Sequence, residues 1–111
     1  MDIEVTQSGQ VTVVAPKGDL DASLAEKMRR TLRDLLDQGK TRLVVDLGEA
    51  SYIESAGLGE LVNAMKRSRQ VGGDLRLCDL RGDLLRIFEM TWLNRAMFVY
   101  PTRKEAVASW T

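Results

Sequence analysis

The sequence predicts the α/β fold class, as a single small domain in which a mixed sheet of about five strands packs against about four helices. Two patterns favour it. After residue 20, short apolar strand patterns alternate with helical patterns, and strands joined through helices lie parallel. Before residue 20, two strand patterns are separated only by the turn signal Gln7-Ser8-Gly9-Gln10, which indicates an N-terminal hairpin. The length of 111 residues suits one hydrophobic core, so we expect one domain over residues 1–111.

Each predicted element follows from its own pattern. Short runs of β-branched and apolar residues predict strands over residues 3–6, 11–15, 42–47, 75–78 and 96–100. Apolar residues that recur every three or four positions predict helices over residues 24–38, 56–71 and 84–88, and a last helix that opens at 101–105. The first strand alternates apolar and polar residues, so we expect it to be half-buried.

Polar side chains mark where two of the helices begin. Ser23 and Glu26 have the spacing of a capping box at the first helix, and Asp21 is the alternative cap two residues earlier. Thr102 and Glu105 have the same spacing at the last helix.

The composition excludes several classes of function. Acidic and basic residues are equal at sixteen each, so no overall field attracts nucleic acid or an anionic membrane, and protein partners remain open. The chain has no histidine and only one cysteine, Cys78, which excludes a Ser-His-Asp triad, a Cys-His nucleophile and a Cys/His zinc site. No apolar run approaches the roughly 20 residues of a membrane span, and residues 1–4 do not begin a secretory signal. We therefore expect a cytoplasmic protein with no membrane span, metal or cofactor.

The stretch from Tyr52 to Leu61 most suggests a functional site. It joins a strand pattern to a helical pattern and contains Ser55, followed by Gly57 and Gly59. By spacing alone Ser55 is most simply an N-cap, and a phosphate acceptor is the other interpretation that remains without a histidine. The two glycines are not a nucleotide-binding loop, because a third glycine and a Gly-Lys-Ser/Thr element are missing. Their missing side chains would let a partner's backbone approach closely.

The same stretch resembles the signature of STAS domains, the anti-sigma factor antagonist family of bacteria. In that family a strand ending in aspartate leads to an Asp-Ser-Ser/Thr-Gly-Leu-Gly motif that opens a helix. Here Val44-Val45-Asp46-Leu47 leads to Tyr52-Ile53-Glu54-Ser55-Ala56-Gly57-Leu58-Gly59. Gly18-Asp19-Leu20-Asp21 is similar to the family's Gly-Glu-Leu-Asp element, and Gly72-Gly73 before an apolar strand also matches. The resemblance covers nearly the whole chain in order.

The resemblance implies a regulatory switch and not an enzyme. In the family, a serine-kinase anti-sigma factor uses ATP to phosphorylate the serine after the motif's acidic residue. The unphosphorylated antagonist binds that kinase and releases the sigma factor, and a PP2C-type phosphatase restores the free form. Carried onto this chain, Ser55 is the phosphate acceptor and Asp21 matches an acid near the kinase interface. The implied partner-binding residues are Asp21, Glu54, Ser55, Ala56, Gly57, Leu58 and Gly59.

The sequence departs from the family pattern at three positions. Glu54 stands where the family usually has Asp, Ala56 where it usually has Ser or Thr, and Trp92 where it often has Gly. The first two departures support an alternative function, a STAS scaffold or transporter-associated subunit that docks partners without phosphorylation.

Other prominent side chains have structural interpretations. We expect Trp92 and Phe98 in core or edge packing, although an exposed Trp92 would be able to anchor a partner. Lys66, Arg67 and Arg69 are expected to form a solvated helix face.

Overall fold

The computed structural model of the chain describes residues 2–111 and confirms the predicted α/β class. Its five strands form one sheet in the order β1-β2-β3-β4-β5. The strands are β1 (Ile3–Ser8), β2 (Val11–Pro16), β3 (Arg42–Asp46), β4 (Asp74–Cys78) and β5 (Val99–Tyr100). The helices are α1 (Ala22–Asp37), α2 (Ser55–Gln70), α3 (Gly82–Met90), α4 (Leu93–Ala96) and α5 (Arg103–Ala108). The described residues therefore contain five helices where the sequence predicts about four, because the short α4 was not anticipated.

The N-terminal hairpin is confirmed, but the expected burial of its first strand is wrong. β1 and β2 are antiparallel, and Ser8 pairs with Val11, which leaves a two-residue turn with Gly9 at φ 60°. β1 is an edge strand, and only its first residue, Ile3, packs against the core, whereas Val5 is exposed.

The other strand pairs are parallel, and helices cover both faces of the sheet. β2 pairs with β3, β3 with β4 and β4 with β5, all in parallel. α1, α2 and α3 lie on one face, where the main core contains Leu43 and Val45 of β3. α5 lies on the other face, where Ala106 packs with Val44 and Cys78. Because β3 is covered on both faces, its central residues are all buried, as expected for a central parallel strand.

The first helix begins at Asp21 and not at Ser23. The backbone N–H of Leu24 donates to Asp21 Oδ1 over 2.8 Å, and Asp21 has the extended backbone of an N-cap, whereas Ser23 already lies inside α1. The predicted cap of the last helix is confirmed, because the N–H of Glu105 donates to Thr102 Oγ1 over 3.1 Å.

The last strand is shorter than predicted because the chain reverses before it. Trp92 has a left-handed backbone, with φ 63° and ψ 11°, and joins α3 to α4. Residues 93–96 are thereby helical, and only Val99 and Tyr100 pair with β4.

Candidate docking site at the start of α2

Ser55 is the first residue of α2 and is exposed to solvent. The N-cap position is occupied by Glu54, whose backbone is extended (φ −89°, ψ 167°) and whose carbonyl accepts the N–H of Leu58 over 3.0 Å. The Glu54 side chain makes no capping bond within residues 2–111. The predicted N-cap role of Ser55 is therefore wrong. The first amides of α2, which have no intrahelical acceptor, therefore receive no capping bond from the Glu54 side chain.

The segment that precedes Ser55 is fixed to the segment that precedes α1. The N–H of Leu20 donates to the carbonyl of Tyr52 over 3.1 Å, and the N–H of Glu54 donates to the carbonyl of Leu20 over 2.9 Å. Leu20 and Ile53 thus form a one-residue parallel bridge, and both side chains are buried. The bridge holds Ser55 at a defined point on the surface without covering it.

Asp19 is a residue of this site that the sequence analysis did not single out. Its Oδ1 accepts hydrogen bonds from the N–H of Ser51 (2.8 Å), the hydroxyl of Ser51 (3.0 Å) and the N–H of Tyr52 (3.1 Å). These bonds, that from the Ser51 backbone first, hold the pKa of the Asp19 carboxyl below its ordinary value. The sequence signal for Asp19 is its place in the Gly-Asp-Leu-Asp element, in which Asp21 is the residue that the family resemblance indicates.

The two glycines of the motif differ in their surroundings. A Cβ on Gly57 would lie 2.8 Å from Ile53 Cγ1 and 3.1 Å from the carbonyl oxygen of Leu20, so its missing side chain makes room for Ile53 and Leu20 of this chain. A Cβ on Gly59 would meet nothing within 4 Å. The open approach that the sequence suggested for both glycines therefore exists at Gly59.

The other expected docking residues lie around the same helix start. Glu54 and Ala56 are exposed, and Leu58 is half-buried against the core. Asp21 is exposed and caps α1, and it follows directly after Leu20 in the bridge. The structure thus brings the exposed members of the predicted set to one end of the domain, near the carboxyl ends of β2 and β3.

The acid one turn further along α2 is buried. Glu60 is 7% exposed, and Arg67 Nη2 lies 3.0 Å from its Oε1. Burial raises the pKa of Glu60, and the positive charge of Arg67 opposes that rise. Arg69 also pairs with a buried acid, Asp74, over 2.8 Å. The predicted solvated face is confirmed for Lys66 and Arg69, which are exposed, and is wrong for Arg67, which is half-buried beside Glu60.

A polar cluster at the ends of β3 and β4 does not have the character of a metal site. Candidate ligand atoms of Asp46, Cys78 and Asp79 lie within 4.8 Å of one another. Arg103 Nε already donates to Asp46 Oδ2 over 2.8 Å. Burial raises the pKa of the Cys78 thiol, which disfavours the thiolate that binds metals. The Arg103–Asp46 pair instead ties α5 to β3.

Fold and site together define a small α/β domain that presents a serine on a rigid helix start. The chain belongs to the STAS domain family, which matches residues 2–106, and within it to the anti-sigma factor antagonists, which are regulators. It is 33% identical over 94 residues to the anti-sigma-B factor antagonist of Bacillus subtilis, covering 85% of each chain.

Two solved structures have the same fold. An anti-sigma factor antagonist from Mycobacterium paratuberculosis superposes with a TM-score of 0.86 at 23% identity, over 96% of this chain and 91% of that one. The Bacillus cell fate determinant SpoIIAA in its phosphorylated form gives a TM-score of 0.77 at 21% identity, over 98% and 99%. Within residues 2–111 we find no helix with the length and apolar character needed to cross a membrane.

Proposed function

We propose that this protein binds a serine-kinase anti-sigma factor in its unphosphorylated form, frees the sigma factor, and is switched off when the kinase phosphorylates Ser55. The observation that carries the proposal is the exposed position of Ser55 at the start of α2, in a member of the anti-sigma factor antagonists. The phosphorylation would take place in the bacterial cytoplasm, with ATP as the phosphoryl donor.

The chemistry requires only a hydroxyl from this chain. Ser55 Oγ attacks the γ-phosphorus of ATP, the bond from that phosphorus to the β,γ-bridging oxygen breaks, and ADP leaves. The hydroxyl proton passes to a base on the kinase. A PP2C-type phosphatase would reverse the modification by hydrolysis, which returns the serine and releases inorganic phosphate.

Among the hydroxyls nearby, Ser55 is the best acceptor. Ser51 is also exposed, but its hydroxyl donates to Asp19 and helps to hold the loop. Position 56, where the family usually offers a second hydroxyl, is Ala56 and cannot accept a phosphate. A kinase that engages this loop therefore finds one free motif hydroxyl, that of Ser55.

The domain should tolerate the phosphate without refolding. Phosphoserine adds about −1.5 to −2 charges at neutral pH. The uncapped amides at the start of α2 and the helix dipole favour an anion there by about 0.3–1 kcal/mol, and up to ~2 kcal/mol in a partly buried geometry. The loop bonds of Leu20 and Asp19 involve other atoms, so they can persist after phosphorylation.

Phosphorylation would instead block the docking surface. A partner that covers an uncharged hydroxyl would have to desolvate a dianion next to the exposed carboxylate of Glu54. A penalty of only about 2.7 kcal/mol weakens binding about a hundredfold. The switch therefore needs a change of charge at one atom and no change of fold.

Phosphate mapping tests the acceptor assignment. The protein is incubated with ATP and the serine-kinase anti-sigma factor of its own host, and the phosphate is located by mass spectrometry of peptides. We expect one phosphate on Ser55, none on the Ser55→Ala variant, and unchanged modification of Ser8→Ala. Ser8 is a matched control because it is exposed and lies at the hairpin turn, at the amino end of β2 and so away from the carboxyl ends of β2 and β3. Tight binding of the kinase without any phosphate on Ser55 would favour the scaffold function instead.

A further inference from the structure

The fold of the domain does not explain why position 92 is a tryptophan. Its backbone is left-handed at φ 63°, a conformation that is strained for a bulky side chain and that helix ends usually assign to glycine. The chain turns there because the N–H of Trp92 donates to the carbonyl of Glu89, and its own carbonyl accepts the N–H of Arg95. Glycine would make the same turn without strain.

The Trp92 side chain does not compensate for that strain by packing inside the domain. The residue is 62% exposed, and Met90 two positions earlier is 71% exposed. The prediction that Trp92 packs in the core or at an edge is therefore wrong. Phe98 is also 54% exposed, and the Arg76 guanidinium lies 5.1 Å from the centre of its ring.

The Trp92 ring is held in place by a cation. The guanidinium carbon of Arg95 lies 4.3 Å from the ring centroid, within the range of a cation–π contact. Arg95 is exposed and is absent from the ion pairs of residues 2–111, although Glu89 lies in the last turn of α3. The pair thus presents an ordered aromatic face beside a positive charge with no acid opposite it.

From these observations we propose that Trp92 and Arg95 form a second anchor for the anti-sigma factor, which fits a partner segment carrying an apolar side chain next to a carboxylate. Tryptophan and arginine are the residues most enriched among those that dominate binding. The charge of Arg95 selects the acid, and the ring of Trp92 with Met90 selects the apolar group. This inference rests on the proposed function, because it names a further part of the same interface.

The geometry allows one partner to reach both anchors. α3 packs on the same core, and so on the same sheet face, as α2. A standard interface covers about 800 Å² on each protein, a patch about 30 Å across, and the domain measures 31 × 27 × 25 Å. An interface of that width is about as wide as the domain, so one partner on this face can contact both the start of α2 and Trp92.

Affinities of variants for the host's anti-sigma factor, measured by calorimetry on the full chain, test the proposal. We expect Trp92→Gly to bind at least about tenfold more weakly than wild type, with no large change in melting temperature. Trp92→Asn, which also tolerates a left-handed backbone, should give the same loss and guards against a folding defect in the first variant. Arg95→Gln should bind about threefold to tenfold more weakly, with most of the loss at low salt, because it removes a charge. The matched control is Val71→Ala, since Val71 is 61% exposed at the far end of α2 and should change affinity less than twofold.

Two results would overturn the proposal, and they are distinguishable. If wild type binds and Ser55 phosphorylation abolishes binding, but both Trp92 variants bind within twofold of wild type, only the second anchor is wrong. If wild type binds no anti-sigma factor of its host, the proposed function fails and the anchor fails with it.

Discussion

The carboxylate of Asp19 binds Ser51 twice, through the backbone N–H at 2.8 Å and through the hydroxyl at 3.0 Å. This contact joins the loop before α1 to the loop before α2 and so supports the position of Ser55. The lowered pKa of Asp19 follows from these bonds, because they favour its charged form.

The first prediction concerns the stability that Asp19 contributes and its loss at low pH. A group whose pKa is lower in the folded state contributes stability above its unfolded pKa, about 3.9 for Asp, and loses it as the pH falls through the folded value. We expect the stability advantage of wild type over Asp19→Asn to be constant from about pH 7 to 5 and to shrink below about pH 4. Urea denaturation across that range measures it. An advantage that is unchanged at pH 3 would contradict the role of the charge.

The stability that Glu60 contributes should depend on pH in the opposite direction. Burial raises its folded pKa, so its contribution is fully present below the unfolded value of about 4.3 and is lost as the pH rises through the folded value. As the pH rises from about 4 to 7, wild type should therefore lose stability relative to Glu60→Gln. The slope is the readout, because replacing protonated Glu by Gln adds only an offset that does not depend on pH, whereas burial and Arg67 both act on the slope through the pKa of Glu60. A slope of the opposite sign would mean that Arg67 more than offsets the burial.

The motif glycines provide a matched pair for stability. Alanine is the better helix former, yet at Gly57 its Cβ would collide with Ile53 and the backbone of Leu20. We expect Gly57→Ala to lower the unfolding free energy by about 1–3 kcal/mol. Gly59→Ala, whose Cβ meets open space, should raise it by about 0.5–1 kcal/mol. If Gly57→Ala and Gly59→Ala changed the unfolding free energy equally in urea denaturation, the close contact of Leu20 and Ile53 with Gly57 would be contradicted.

Trp92 and Trp110 should differ in their importance for folding. Replacing Trp92 by Gly relieves a strain of about 1–2 kcal/mol in the left-handed backbone. Glycine also loses more conformational entropy on folding, and the contact with Arg95 is lost. Because these effects oppose each other, the unfolding free energy should stay within about 1 kcal/mol of wild type. Trp110 is partly buried and packs against the core on the α5 face of the sheet, and the Arg76 guanidinium lies 3.8 Å from its ring centroid. Trp110→Ala should therefore cost about 2 kcal/mol or more. Thermal unfolding compares the two, and a larger loss at Trp92 would contradict this account.

The architecture could be predicted from the sequence because it depends on local periodicity. Short apolar runs at 42–47 and 75–78 and the helical repeat over 56–71 each correspond to an observed element within one or two residues. The α4 turn was missed because it depends on the left-handed backbone of Trp92, which no pattern of apolar residues reveals for a residue of this size.

The site was predicted less well, because caps and close approaches depend on tertiary contacts. Ser23 and Ser55 are residue types that often cap helices, yet the extended backbone falls at Asp21 and Glu54. The buried position of Gly57 depends on Leu20, which lies 37 positions away in sequence and reaches it only through the bridge to Ile53. Sequence reasoning predicted a site on this strand-to-helix stretch and missed the contacts that hold the stretch in place.

The affinity of the purified phospho-Ser55 protein for the anti-sigma factor tests the central claim most directly. The phosphorylated and unphosphorylated forms are titrated in parallel, and treatment of the phosphorylated sample with phosphatase provides the control. We predict that phosphorylation weakens binding by about a hundredfold or more and that dephosphorylation restores it, with the secondary structure unchanged by circular dichroism. Binding of the phospho-Ser55 form within twofold of the unmodified form would contradict the claim that Ser55 is the switch.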